Sequence, residues 1–158
     1  MPPALPPLLS DQPRRLALLD PHPVLRLGVE VLLSQHSGVQ VCASYADPAL
    51  LLARLQRDPQ SVDLLVVDAF ALGDRGNGLA LLRELAQRYP QLPVLVLSAH
   101  CNASTVATAM KAGARGFISK ATSPDVLLRA LDTLSWGGRF VPPELRTQRT
   151  RTRTRRAP

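Results

Sequence analysis

The chain has 158 residues, 46% hydrophobic and 20% charged, which suits one soluble globular domain with a real core and is too short for two. No window approaches the ~18 consecutive apolar residues of a membrane helix, so no membrane partner is expected. The net charge of +7 is local: residues 146–158 hold six arginines and no acid, and without them 13 basic residues face 12 acidic ones.

The opening stretch is apolar but lacks a basic n-region, and Pro2, Pro3, Pro6 and Pro7 interrupt any helical run. It reads as a flexible Pro-rich lead over 1–13 rather than a signal peptide. Short apolar runs then alternate with stretches of helical spacing. The runs are Leu16–Asp20, Val39–Ala43, Leu64–Asp68, Pro93–Ser98 and Gly116–Ser119. Several are continuously apolar, as parallel strands covered on both faces must be. Helical spacing marks 23–35, 47–57, 78–88, 103–112 and 123–136; in the third, Leu79, Leu82 and Leu85 share a face opposite Arg83, Glu84 and Gln87. The last helix has Ser123 as N-cap, Pro124 at its first position, Asp125 in its first turn and Gly137-Gly138 at its end. Five such units predict an α/β fold, a five-stranded parallel sheet in the flavodoxin-like order 2-1-3-4-5 with helices on both faces. One domain over 14–140 is expected, followed by a linker and a disordered Arg-rich tail over 141–158.

Two cysteines, Cys42 and Cys101, lack metal-ligand spacing and read as reduced thiols of a cytoplasmic protein. His22 and His36 are expected to stand too far from a second ligand to bind metal. In an open parallel sheet, reactive groups gather at the carboxyl ends of the strands. Those ends carry Asp20, Asp68, Ser98 and, just past the fifth strand, Lys120. Singly each is ordinary, since a strand-end Asp or Ser usually caps a turn and a Lys is usually solvated. Together they suit phosphoryl transfer. In such a site Asp68 would be the nucleophile, Lys120 a point charge, Ser98 a neutral donor and Asp20 an oxygen ligand for a divalent cation.

The arrangement resembles the receiver domain of response regulators (the CheY-like superfamily), and more finely the receivers of NarL/FixJ (LuxR-type) transcription regulators. The resemblance covers about residues 14–145. It rests on Leu19-Asp-Pro-His-Pro-Val-Leu-Arg-Leu-Gly28, Val62-Asp-Leu-Leu-Val-Val-Asp68, Val96-Leu-Ser-Ala-His100, Ala109-Met-Lys-Ala-Gly-Ala-Arg-Gly-Phe-Ile-Ser-Lys120 and Gly137-Gly-Arg-Phe-Val-Pro-Pro-Glu-Leu145. It implies a non-enzymatic two-component regulator phosphorylated on Asp68 by a sensor histidine kinase, using Mg²⁺ and controlling transcription or a partner protein. By the same resemblance Asp20 belongs to the acidic pocket, Ser98 and Phe117 form the switch, and Lys120 senses phosphate. A homodimer is a further expectation, with its face around 116–136.

The chain also departs from that pattern. Pro21 stands where such receivers carry a second acid, so the cation must rest on Asp20, Asp68 and the Phe70 carbonyl, which predicts weaker Mg²⁺ binding. After Asp68 come Ala71-Leu72 and then Gly73-Asp-Arg-Gly-Asn-Gly78, about two residues longer than usual and mobile by its three glycines. These features leave a pseudo-receiver, a phosphorylation-independent dimerisation or interaction module, as the alternative. Relatives of this type normally continue into a helix-turn-helix domain, where this chain has only the arginine-rich tract. That tract either touches DNA phosphates non-specifically or comes from a truncated or shifted reading frame, the preferred reading because thirteen such residues cannot read base edges. Enzymes on the same fold fit poorly. A dehalogenase-like phosphatase needs a second Asp where Phe70 stands, and a flavodoxin needs a phosphate loop where Pro21-His22-Pro23 stands.

Overall fold

The structure, a computed structural model, describes residues 12–72, 77–142 and Leu145. The expected Pro-rich lead before Gln12, residues 73–76 of the glycine loop and the arginine tail after Leu145 lie outside the described residues.

Five strands and five helices alternate along the chain: β1 (Arg14–Leu19), α1 (Pro23–Ser34), β2 (Val39–Tyr45), α2 (Pro48–Arg57), β3 (Leu64–Val67), α3 (Asn77–Arg88), β4 (Val94–Ser98), α4 (Ala103–Lys111), β5 (Gly116–Ser119) and α5 (Pro124–Ser135). The sheet runs β2-β1-β3-β4-β5 and every pairing is parallel, as expected.

The continuous apolar runs follow from the two-residue period of a strand. Leu16, Leu18, Leu64, Val66, Leu95, Leu97 and Ile118 point to one side, where Val29 and Leu33 of α1 and Leu127, Leu131 and Leu134 of α5 cover them. Ala17, Leu19, Leu65, Val67, Val96 and Phe117 point to the other, against Leu51 and Leu55 of α2, Leu82 and Leu85 of α3 and Val106 of α4. Neither core could form without the other, because each central strand supplies both.

Several local features differ from expectation. β2 runs on to Tyr45 because the register against β1 shifts between Leu16 and Ala17, which leaves Cys42 as the extra residue. Ser123 is the N-cap residue of α5, but its hydroxyl makes no capping hydrogen bond, so Pro124 and Asp125 carry the start of the helix. The end of α5 behaves as read: Gly137 takes φ +82°, its N–H donates to the Leu134 carbonyl and that of Gly138 to the Thr133 carbonyl.

The packed part also continues past residue 140. The Phe117 N–H donates to the Phe140 carbonyl at 2.9 Å and the Phe140 N–H to the Arg115 carbonyl at 3.1 Å, so this segment pairs with the open edge of β5. Pro142 and Leu145 are buried, Leu145 in the same core as Phe117. Phe140 packs into the core on the α1 and α5 side, and Val141 and Leu145 into that of Phe117, because β5, the last strand of the sheet, leaves both an edge and a core margin uncovered.

Candidate functional site

Asp20, Asp68 and Lys120 each stand just past a strand end and are fastened by their own backbone to a neighbouring strand. The Asp20 N–H donates to the Tyr45 carbonyl at 3.0 Å, that of Asp68 to the Leu19 carbonyl at 2.9 Å, and that of Lys120 to the Ser98 carbonyl at 2.8 Å. The ladder thus continues one residue beyond the strands, and the side chains leave from a fixed edge.

The two carboxylates are deeply buried, the Asp20 side chain 1% and the Asp68 side chain 3% exposed. Lys120 reaches both, its Nζ 2.8 Å from Asp20 Oδ2 and 2.5 Å from Asp68 Oδ2. Burial presses the ammonium toward neutrality, but close contact with Asp20 and Asp68 outweighs it and holds the Lys120 pKa above the ordinary lysine value. One ammonium between two carboxylates leaves an excess negative charge in the pocket. Asp68 Oδ1 accepts from the N–H groups of Phe70 at 3.2 Å and Ala71 at 3.1 Å, so the loop after β3 folds around its own carboxylate. Asp20 Oδ2 is buried, and the Lys120 ammonium is its partner.

His22 corrects the sequence reading, which held it too far from any second ligand. Its Nδ1 lies 2.8 Å from Asp20 Oδ1 and 3.1 Å from Lys120 Nζ. Asp20, His22 and Asp68 each place one ligand atom within 4.8 Å of the others. The cause is local: the His22 N–H also donates to Asp20 Oδ1 at 2.8 Å, so the chain bends back over the carboxylate before α1 begins. A two-residue separation does not reveal that bend, and only the flanking prolines hint at it.

Ser98 and Phe117 lie on adjacent strands, with Val96 opposite Phe117 and Ser98 opposite Ser119. Both are fully buried. Ser98 Oγ accepts from the His100 N–H at 3.0 Å, which ties the hydroxyl to the turn after β4. The Phe117 ring packs against Phe70 with centroids 6.2 Å apart, so an aromatic pair joins β5 to the loop that follows Asp68.

Gly78, expected from the sequence to lend the loop mobility, is instead buried in the first turn of α3. A Cβ there would sit 1.5 Å from the Ala69 carbonyl oxygen, so the first turn of α3 presses directly on the peptide after Asp68. Its signal was a glycine at the start of an otherwise strong helix.

The response regulator receiver domain family matches residues 16–132. Transcriptional regulatory protein UhpA of Salmonella typhimurium is 35% identical over 130 residues, which cover 82% of this chain and 63% of that protein. Transcriptional regulatory protein DegU of Brevibacillus brevis is 29% identical over 137 residues, covering 87% of this chain and 56% of that one. The chain therefore spans less than two thirds of the length of these curated relatives. The crystal structure of a LuxR-family two-component response regulator from Aurantimonas sp. SI85-9A1 superposes with a TM-score of 0.79 at 25% identity, covering 90% of this chain and 99% of that one. Sheet order, carboxyl edge and relatives define the class, a signalling receiver whose typical switch is phosphorylation. The chain belongs to the response regulator receiver domain family, and its relatives are transcriptional regulators. No helix among the described residues is long and apolar enough to cross a membrane.

Proposed function

We propose that this receiver accepts a phosphoryl group on Asp68 from the phosphohistidine of a sensor histidine kinase and passes the event on through β4 and β5 to transcription or to a partner protein, in the cytoplasm. The observation that carries it is the Lys120 ammonium held against both Asp20 and Asp68 at the carboxyl edge of the sheet. In the transfer an Asp68 carboxylate oxygen forms the new P–O bond while the P–N bond of the donor breaks. The imidazole leaves with the electron pair and takes up a proton from water. Lys120 stabilises charge on the phosphoryl oxygens, and the Phe70 and Ala71 N–H groups orient Asp68.

A divalent cation fits the residues present: two buried carboxylates share one ammonium, and the ligand atoms of Asp20 and Asp68 lie within 4.8 Å of each other. Asp20, Asp68 and the Phe70 carbonyl would hold Mg²⁺, which supplies neutralisation of the phosphoryl oxygens. With Pro21 in place of a second acid, this site binds Mg²⁺ more weakly than a two-acid receiver. Ser98 then turns from the His100 amide toward the new phosphoryl oxygens, and Phe117 repacks with it. Phosphate biases that equilibrium only through contacts made in one of its two states.

The test is intact mass after incubation with acetyl phosphate and Mg²⁺. Wild type should gain one phosphoryl group and Asp68→Asn none; full modification of the variant would refute the assignment. Pro21 favours the rival reading, a phosphorylation-independent interaction module, and an unmodified wild type would support that rival.

A further inference from the structure

We infer that His22 replaces the missing second acid as a metal ligand, so that this pocket selects a first-row transition cation that takes imidazole nitrogen, such as Co²⁺ or Zn²⁺, over Mg²⁺. The inference deepens the assignment of Asp20 and Asp68 as the cation site and rests on it. Four observations carry it.

The first is position. Nδ1 lies 2.8 Å from Asp20 Oδ1, and the ligand atoms of Asp20, His22 and Asp68 all fall within 4.8 Å of one another. For metal–ligand bonds of ~2.0–2.1 Å, neighbouring ligand atoms of an octahedron stand ~3 Å apart and opposite ones ~4 Å, so one cation can reach all three after small side-chain shifts.

The second is an unresolved conflict at Nδ1. It stands 2.8 Å from an acceptor, Asp20 Oδ1, and 3.1 Å from a donor, the Lys120 ammonium. A protonated Nδ1 serves the carboxylate and opposes the ammonium, whereas a bare Nδ1 does the reverse. A cation bound by both the bare nitrogen and Asp20 Oδ1 removes the clash between those two lone pairs. The third is charge: the carboxylates of Asp20 and Asp68, 1% and 3% exposed, share the single Lys120 ammonium. The fourth is preorganisation. His22 lies between Pro21 and Pro23 in extended backbone (φ −91°, ψ 107°), where both prolines restrict it. The ring is 59% exposed, so small rotations toward a cation meet little packing resistance.

The donor set then decides the metal. Mg²⁺ prefers oxygen and keeps its waters, whereas imidazole nitrogen with carboxylate oxygen suits the later first-row cations. His22 therefore adds affinity for Co²⁺ and little for Mg²⁺.

The test is calorimetric titration of the full chain with CoCl₂ and with MgCl₂, with Co²⁺ visible absorption followed in parallel. Wild type should bind Co²⁺ more tightly than Mg²⁺. His22→Ala should lose Co²⁺ affinity about tenfold or more and change the absorption spectrum, while Mg²⁺ affinity stays within about twofold. His22→Asp should move the preference back toward Mg²⁺. If Asp20→Asn abolishes Co²⁺ binding while His22→Ala leaves it unchanged, the carboxylate site stands and the histidine inference falls. If Co²⁺ binds wild type, Asp20→Asn and His22→Ala alike, or binds none of them, the cation site falls as well.

Discussion

Replacing Lys120 by Met tests how the acidic pocket is held together. Methionine keeps much of the length and apolar stem of lysine and removes the charge. It leaves Asp20 and Asp68, 1% and 3% exposed, facing each other without the ammonium 2.8 and 2.5 Å away. Removing one partner from a buried ionic network typically costs ~3–5 kcal/mol. Because the Lys120 side chain is 15% exposed, water can enter the vacated space, which favours the lower end, about 3 kcal/mol. With a urea m-value of about 2 kcal/mol per molar, the unfolding midpoint should fall by about 1.5 M at pH 7. The deficit should depend on pH. In wild type the sign is set by Lys120, whose folded pKa is raised: its contribution is complete at acid and neutral pH and is lost only as pH climbs past the ordinary lysine value. Urea melts of both proteins between pH 7 and pH 11 read this directly. A midpoint shift under about 0.25 M at pH 7, or a shift that does not change with pH, would refute the ionic account.

Phe117→Ala should lower stability by about 3–5 kcal/mol, since the ring is fully buried on Phe70 and its removal leaves a cavity; a urea melt measures it. Gly78→Ala must displace the Ala69 carbonyl, 1.5 Å from the new methyl, so about 1–3 kcal/mol of stability should go together with the rate of Asp68 modification by acetyl phosphate. A variant phosphorylated at the wild-type rate would show that the peptide after Asp68 tolerates the shift. Ser98→Ala should still accept phosphate but lose the change in amide exchange across 116–136, and equal changes in both proteins would make Ser98 purely structural.

The sheet was legible because its strands are apolar on both faces and short. Leu64–Val67 has no polar position and Val94–Ser98 only its terminal Ser98, and all are buried. The site was legible for the same reason, since a charged or hydroxyl residue at the end of an apolar run marks the carboxyl edge. Contacts that depend on backbone direction between elements were not. His22 meets Asp20 only because the chain reverses over its own carboxylate. Gly78 meets Ala69 across a loop whose length says nothing about its path. Asn102 and Thr105 form a reciprocal cap on α4 that residue types alone left unmarked, and the docking of Leu145 needs an uncovered margin that no local period announces.

The pairing of Phe140 with β5 bears on how a change at Lys120 travels. Two backbone hydrogen bonds, at 2.9 and 3.1 Å, lace residue 140 to Phe117 in β5 and to Arg115 just before it, while Lys120 directly follows the strand. Such bonds tolerate only a few tenths of an ångström before they weaken, so a slide or twist of β5 carries residue 140 with it or breaks the lacing. The path of residue 140 is thus geared to the strand that leads into Lys120, and it can respond without any side chain changing partners.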